Sequence, residues 1–301
     1  MTDLPIKPLD TRKWEALALH EMHRFYTDYE THAVEGESKP RVIGAPFFYR
    51  NPAAETGILL IHGFMATPEE VREWADSLYS KGYTVYAPRL AGHGTSAMDL
   101  AGRTVADWMD SVDRGHAILK ECCQKIVVAG FSTGAGLALA QALFKPEAFQ
   151  SVISVSAPLK FKSLSTSGVE ALDDWNRLCR TLGLKWLTKE LVTNHADNPQ
   201  INYLKCPIAG LVQVKALMKQ VWKALPTLAI PALIIQGKGD PKVKDTSGPK
   251  LFARIGHSHT SYQEIPFHLH GIVRGPIAET VFQETLRFIV HHAQDESDYH
   301  Q

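Results

Sequence analysis

Lys125-Ile-Val-Val-Ala129 runs into Gly130-Phe131-Ser132-Thr133-Gly134 and then into Ala135-Gly-Leu-Ala-Leu-Ala-Gln-Ala-Leu143. The first five residues, three of them β-branched, read as a strand buried on both faces, and the small-residue run at the end reads as a helix. Only a sharp turn fits between them. The uncharged stretch from Ile126 to Phe144 approaches membrane-spanning length, but it holds three glycines plus Ser132, Thr133 and Gln141, and its periodicity changes midway. A serine on so tight a turn is held in a strained backbone conformation, and glycines on both sides let strand and helix approach without a Cβ clash. A G-x-S-x-G pentapeptide arises by chance in about one chain of this length in ten. The strand, turn and helix around it carry the weight.

Outward from this segment, short apolar runs alternate with helix-period stretches, the pattern of a mostly parallel sheet covered by helices, and so of an α/β fold. Strands are expected at Arg41 to Tyr49, Gly57 to Ile61, Thr84 to Ala87, Lys125 to Ala129, Ser151 to Ser156, Ala232 to Gln236 and Thr260 to Ile265. Helices are expected at Val105 to Cys122 and Ala278 to His291. The alternation fails over residues 158–226, which read as a helical cap inserted into a core of residues 41–157 and 227–301. Within the cap, Ile208 to Leu225 places Leu211, Val214, Leu217 or Met218, Val221 or Trp222, and Leu225 on one helical face and lysines 215, 219 and 223 on the other. Residues 1–40 form an extension, with a helix around Arg12 to Tyr26 and a loop over THAVEGESKP.

The chain has 301 residues, with 32 basic and 32 acidic side chains and 14 histidines. A net charge of zero argues against an electrostatic nucleic-acid binder. Four cysteines without zinc-site spacing, and an N-terminus without a basic start and apolar block, point to a reducing, cytoplasmic setting with no stable membrane insertion.

Ser132 needs a base. His270 follows the last expected strand and Asp240 the one before it, so the order is Ser132, Asp240, His270. Asp245 is the rival acid and His268 the rival base, because alternate residues of an extended segment point oppositely. The backbone N–H groups of Phe64, after His62-Gly63, and of Thr133 are the expected oxyanion donors. His62 and His93 lack carboxylate company and read as structural; no metal or cofactor is expected. Met65, Leu211, Leu217 and Trp222 are candidate substrate contacts, although the cap stripe is first of all packing.

The segments His62-Gly63-Phe64, Pro88-Arg-Leu-Ala-Gly-His-Gly-Thr-Ser96, Gly130-Phe-Ser-Thr-Gly134, Leu233-Ile-Ile-Gln-Gly-Lys-Gly-Asp240 and His268-Leu-His-Gly271, in that order, resemble the α/β-hydrolase superfamily, and within it the carboxylesterase and monoacylglycerol lipase branch. The resemblance covers Gly57 to Val290. It implies a carboxylic-ester hydrolase with a cap after the sixth core strand; the apolar cap without a strong charge bias suggests a neutral ester with an acyl chain, such as a monoacylglycerol or a short-chain carboxylic ester. Two positions depart from the usual pattern: Pro241-Lys242-Val243 follows Asp240 where relatives often have an apolar pair, and Leu269 stands where relatives commonly have glycine. Other readings in play are a lysophospholipase or amidase on the same three residues, and a hydrolase-fold protein that only binds a small apolar ligand.

Overall fold

Alternating side-chain directions along the apolar runs split the core into two layers, one on each side of a single large sheet. The computed structural model describes residues 13–162, 166–256 and 258–298. In chain order the elements are α1 (Lys13–His32), α2 (Arg41–Gly44), β1 (Phe47–Tyr49), β2 (Thr56–Ile61), α3 (Arg72–Ser80), β3 (Thr84–Ala87), α4 (Ala97–Ala101), α5 (Val105–Lys120), β4 (Lys125–Phe131), α6 (Thr133–Phe144) and β5 (Ser151–Val155). They continue with α7 (Thr166–Thr181), β6 (Leu191–Thr193), β7 (Lys205–Pro207), α8 (Ile208–Ala224), β8 (Ala232–Lys238), α9 (Ser247–Arg254), β9 (Thr260–Pro266) and α10 (Ala278–Asp298).

Seven strands form the main sheet in the order β1-β3-β2-β4-β5-β8-β9. All neighbouring pairs are parallel except β1 with β3. Leu59 and Ile61 of β2, Val128 of β4, Val152 of β5 and Ile234 of β8 enter the layer shared with α5, α6 and α8. Their chain neighbours Ile58, Leu60, Val127, Ile153 and Ile235, pointing the opposite way, enter the layer shared with α3 and α10. This two-sided burial is why the strands read as continuously apolar rather than alternating. Helix α6 is buried from Thr133 to Ala142 because it lies between the sheet and α8.

Four expectations are corrected. Arg41–Gly44 is a turn of helix and only Phe47–Tyr49 is strand: the Pro40 carbonyl accepts from Ile43 and Gly44 N–H, and Pro46 forces the preceding Ala45 to be extended. Helix α1 continues beyond Tyr26, with Tyr29 packed on the buried Phe25, and ends at His32, two residues into the stretch expected as loop; Arg12 and the residues before it lie outside the described residues. The excursion between β5 and β8 is not purely helical. It holds α7 and α8 with a two-stranded antiparallel ribbon, β6 and β7, between them. Strands of three residues are too short to show a period of two. The excursion leaves the sheet after the fifth strand of the described residues, not the sixth, because only four strands precede β5.

At the centre of this packing, a Cβ on Gly134 would overlap the Ile61 and His62 carbonyls of the neighbouring strand. Gly134→Ala is expected to cost about 3 kcal/mol, because backbone cannot step aside as a side-chain end can. Gly256→Ala, with only the Pro226 carbonyl at 4.0 Å, is the control. Equal melting temperatures for the two variants would contradict the close approach.

Candidate active site

The turn between β4 and α6 is as sharp as its sequence demands. Ser132 sits at φ +53°, ψ −119°, with its N–H donating to the Val155 carbonyl at 2.8 Å. A side-chain-bearing residue adopts such a conformation only when its surroundings impose it. The imposing groups are backbone: a Cβ on Gly130 would overlap the Gly134 carbonyl, so strand and helix touch with nothing between them. Thr133 opens α6, and its N–H is among the donors that a helix start leaves without an intrahelical acceptor.

Two loops after later strands reach Ser132. Asp240 follows β8 and His270 follows β9, and both stand at the same sheet edge as Ser132 because β4, β5, β8 and β9 are consecutive parallel neighbours. His270 Nδ1 donates to Asp240 Oδ2 at 2.6 Å, which leaves Nε2 to accept from Ser132 Oγ at 2.8 Å. The second Asp240 oxygen accepts from the Lys242 and Val243 N–H groups at 2.8 and 2.9 Å. Burial alone would raise the Asp240 carboxyl, but the His270 hydrogen bond and charge, with the two N–H groups, outweigh it and hold the group below its usual range. The rivals stand elsewhere. Asp245 is half-exposed and pairs with Lys162, and His268 is exposed beside Gly239.

The loop after β2 is clamped on both sides of Gly63. Its N–H donates to Glu70 Oε2 at 2.6 Å, and its carbonyl accepts from His62 Nδ1 at 2.9 Å. His62 Nε2 in turn accepts from the Leu90 N–H at 3.2 Å, which sets the tautomer. Because the peptide unit is planar and trans, pinning the Gly63 carbonyl fixes the direction of the Phe64 N–H. Burial, reinforced by the charge of Arg89 and only partly offset by the Gly63 bond, lowers His62 to about 4, so the ring is neutral. His93 is neutral for the same reason, with Nδ1 facing the Leu90 and Ala91 carbonyls.

Glu70, which holds the Gly63 N–H at the cavity, was not singled out in the sequence. The pair Glu69-Glu70 offers no hint of which carboxylate turns inward; Glu69 pairs with Arg72 while Glu70 is buried. Burial pushes Glu70 up to about 7, against the Gly63 N–H and the charges of His270, Lys242 and Arg274, which pull it down.

Ser132, Thr133, Phe64, Glu70 and His270 line a cavity of about 500 Å³. Of the candidate substrate contacts, Met65 and Leu211 line it, together with the apolar Phe161, Val192 and Cys206. Leu217 and Trp222 do not. Leu217 is buried against Gly136 of α6, and Trp222 lines a separate cavity of about 300 Å³ with Leu159 and Met218. Helix α8 starts at the cavity and runs away from it at about 1.5 Å per residue, so only its first turn reaches the site. A polar side went unforeseen: Asn194, His195, Asp197, Asn198 and Asn202, from the connection between β6 and β7.

A mostly parallel sheet with a strained serine turn after one strand, and an acid and a histidine after two later ones, defines an α/β hydrolase. The chain belongs to the Hydrolase_4 family, described as serine aminopeptidase, S33, whose model matches residues 52–276. It is 30% identical to a thermostable monoacylglycerol lipase of Bacillus sp. (strain H-257), over 85% of this chain and 99% of that protein. It is also 30% identical to a carboxylesterase of Bacillus subtilis (strain 168), over 70% of this chain and 81% of that protein. Among solved structures, one from a study of the metagenome-derived lipolytic enzymes LipS and LipT covers 85% of this chain and 100% of its own with a TM-score of 0.74 at 24% identity. The Paleococcus ferrophilus monoacylglycerol lipase covers 82% and 98% with a TM-score of 0.68 at 17% identity.

The raised Glu70 carboxyl has a signature in stability. Between its ordinary value of 4.5 and its folded value of about 7, the folded protein keeps a proton that the unfolded chain has released, so this group's contribution to stability falls as pH rises through that window. Glu70→Gln lacks the titration. Its stability relative to the parent is therefore expected to improve by about 3 kcal/mol from pH 4.5 to pH 8, measured by denaturant melts. A difference that stays constant over that range would mean Glu70 is ionised throughout.

Proposed function

We propose that the protein hydrolyses small neutral carboxylic esters through an acyl-enzyme on Ser132. The observation that carries this reading is the unbroken chain from Asp240 through His270 to the hydroxyl of Ser132, at 2.6 and 2.8 Å, opening onto the cavity. His270 Nε2 takes the Ser132 proton as Oγ attacks the ester carbonyl. The carbonyl oxygen, now anionic, lies between the Phe64 and Thr133 N–H groups, where losing one donor costs about 3 kcal/mol of barrier. Asp240 stabilises the imidazolium and keeps its Nδ1 occupied. The tetrahedral adduct collapses by expelling the alcohol, which leaves with the proton from His270 Nε2. Water then gives a proton to the same nitrogen as it attacks the acyl group, and the acid departs as Ser132 recovers its proton.

The cavity walls argue for how an ester lies. Phe64, Met65, Phe161, Val192 and Leu211 offer an apolar side for an acyl chain, whereas Asn194, Asp197, Asn198 and Asn202 offer hydrogen-bonding groups to an alcohol that carries free hydroxyls. A monoacylglycerol fits that division, in line with the name of a relative that is 30% identical. Among the described residues no helix is long and apolar enough to cross a membrane.

Rates on a panel of glycerol and simple alkyl esters of graded acyl length test the reading. Ser132→Ala and His270→Ala are each expected to lose at least about 10³-fold in kcat while still folding, and His268→Ala to stay within about threefold of the parent. If His268→Ala were the inactive variant, the base would be misassigned, and substantial turnover by Ser132→Ala would remove the acyl-enzyme.

A further inference from the structure

Helix α1 and the residues that follow it precede the region matched by the family model, yet Lys39 among them bonds to the loop that walls one part of the active-site cavity. Residues 37–39 are stitched to the loop that ends at α4. The Lys39 N–H donates to the Gly94 carbonyl at 3.0 Å, Ser38 Oγ donates to the Thr95 carbonyl, and the Glu37 carboxylate accepts from the Ala97 N–H. From behind, Tyr29 of α1 donates its hydroxyl to the Lys39 carbonyl at 3.0 Å. So anchored, Lys39 points its side chain into the protein, and its Nζ donates to the Pro199 carbonyl at 2.9 Å. Only 9% of Lys39 is exposed. A lysine is rarely buried without a partner, because its ammonium loses hydration.

Pro199 lies midway along the connection between β6 and β7 that supplies the polar wall of the cavity. Asp197, two residues earlier, accepts the His270 backbone N–H at 3.2 Å, and a Cβ on Gly271 would lie 3.6 Å from the Asn198 amide nitrogen. The Asn198 carbonyl accepts from the N–H groups of Ile201 and Asn202. At the far end Tyr203 is tied to the core, its N–H to the Met65 carbonyl and its hydroxyl to the Gly92 carbonyl, both at 3.0 Å. Between those tethers the Lys39 bond fixes the middle of the loop, and Pro199 has no N–H with which to fix itself.

We propose that Lys39 is a positioning residue for the leaving alcohol: by holding the Pro199 carbonyl it keeps Asp197, Asn198 and Asn202 at the cavity wall. A segment ahead of the matched region thereby takes part in alcohol selection. This inference rests on the ester-hydrolase reading for its substrate and on geometry alone for the loop. An ester whose alcohol carries no free hydroxyl draws on none of these polar side chains and does not depend on the bond.

Lys39→Met keeps the aliphatic stem and removes the donor; Lys39→Arg restores one. The full-length variants are compared on a monoacylglycerol and on the p-nitrophenyl ester of the same acid, whose leaving group has no free hydroxyl, together with hydrogen exchange of residues 194–203. For Lys39→Met, KM for the glycerol ester is expected to rise about 10-fold, the equivalent of one hydrogen bond, with kcat nearly unchanged. The p-nitrophenyl ester is expected to stay within about twofold, the loop amides to exchange faster, and Lys39→Arg to recover most of the difference. Equal losses on both esters would overturn the assignment in favour of a general structural role. Unchanged exchange would overturn it whatever the activity. A parent protein that exchanges as expected but cleaves neither ester would defeat the ester-hydrolase reading instead, and with it the alcohol role of Lys39.

Discussion

Backbone pressed against backbone at the turn between β4 and α6 is the constraint from which the rest of the site follows. Gly130 meets the Gly134 carbonyl, and Gly134 meets the carbonyls of Ile61 and His62, with no space for a Cβ at either position. That contact joins β4, α6 and the end of β2 into one rigid corner. It forces Ser132 to a positive φ, turns its hydroxyl toward the cavity, and brings the loop after β2 alongside, where a Cβ on Gly63 would sit 3.3 Å from Cβ of Ser132. Helix α6 can press so closely because its residues are small and its outer side is closed by Met218 and Leu217 at Gly136.

Around that corner, charge is arranged by burial and then compensated. Asp240 is fully buried, a position that would favour the neutral acid, yet His270 and two backbone N–H groups keep it ionised. Glu70, equally shut from water, has one backbone donor and more distant positive charges, and so stays protonated up to about neutral pH. The two carboxyl groups both sense the charge of His270, one through a direct hydrogen bond and the other across the cavity lining, with opposite protonation preferences. His62, neutral and held by Leu90, completes the clamp on Gly63. The loop that carries the Phe64 N–H is thus pre-set rather than assembled when substrate arrives, which is where electrostatic stabilisation of an oxyanion draws its effect.

Much of this was legible in the chain. KIVVA followed by GFSTG and a small-residue helix admits one local geometry, and the acid and histidine follow from strand order, because parallel neighbours end at the same edge. What was not legible depends on relations the sequence does not order. Leu217 and Trp222 share a helical face with Leu211, and periodicity cannot say how far along that face the cavity extends. Glu69 and Glu70 are adjacent and chemically alike; only the path of the chain after Gly63 turns the second inward. The polar wall comes from a loop flanked by strands of three residues, below the length at which alternation shows. The Arg41 to Tyr49 segment failed locally, where prolines at 40 and 46 outweighed β-branched Val42 and Ile43.

The most direct test is intact mass of the protein after incubation with a fluorophosphonate, followed by peptide mapping. An activated nucleophile hydrogen-bonded to His270 at the mouth of an open cavity should take up one equivalent, on Ser132 and nowhere else. A folded sample that stays unmodified, or one whose adduct maps to another residue, would contradict the serine mechanism and leave the cavity as a binding site without chemistry.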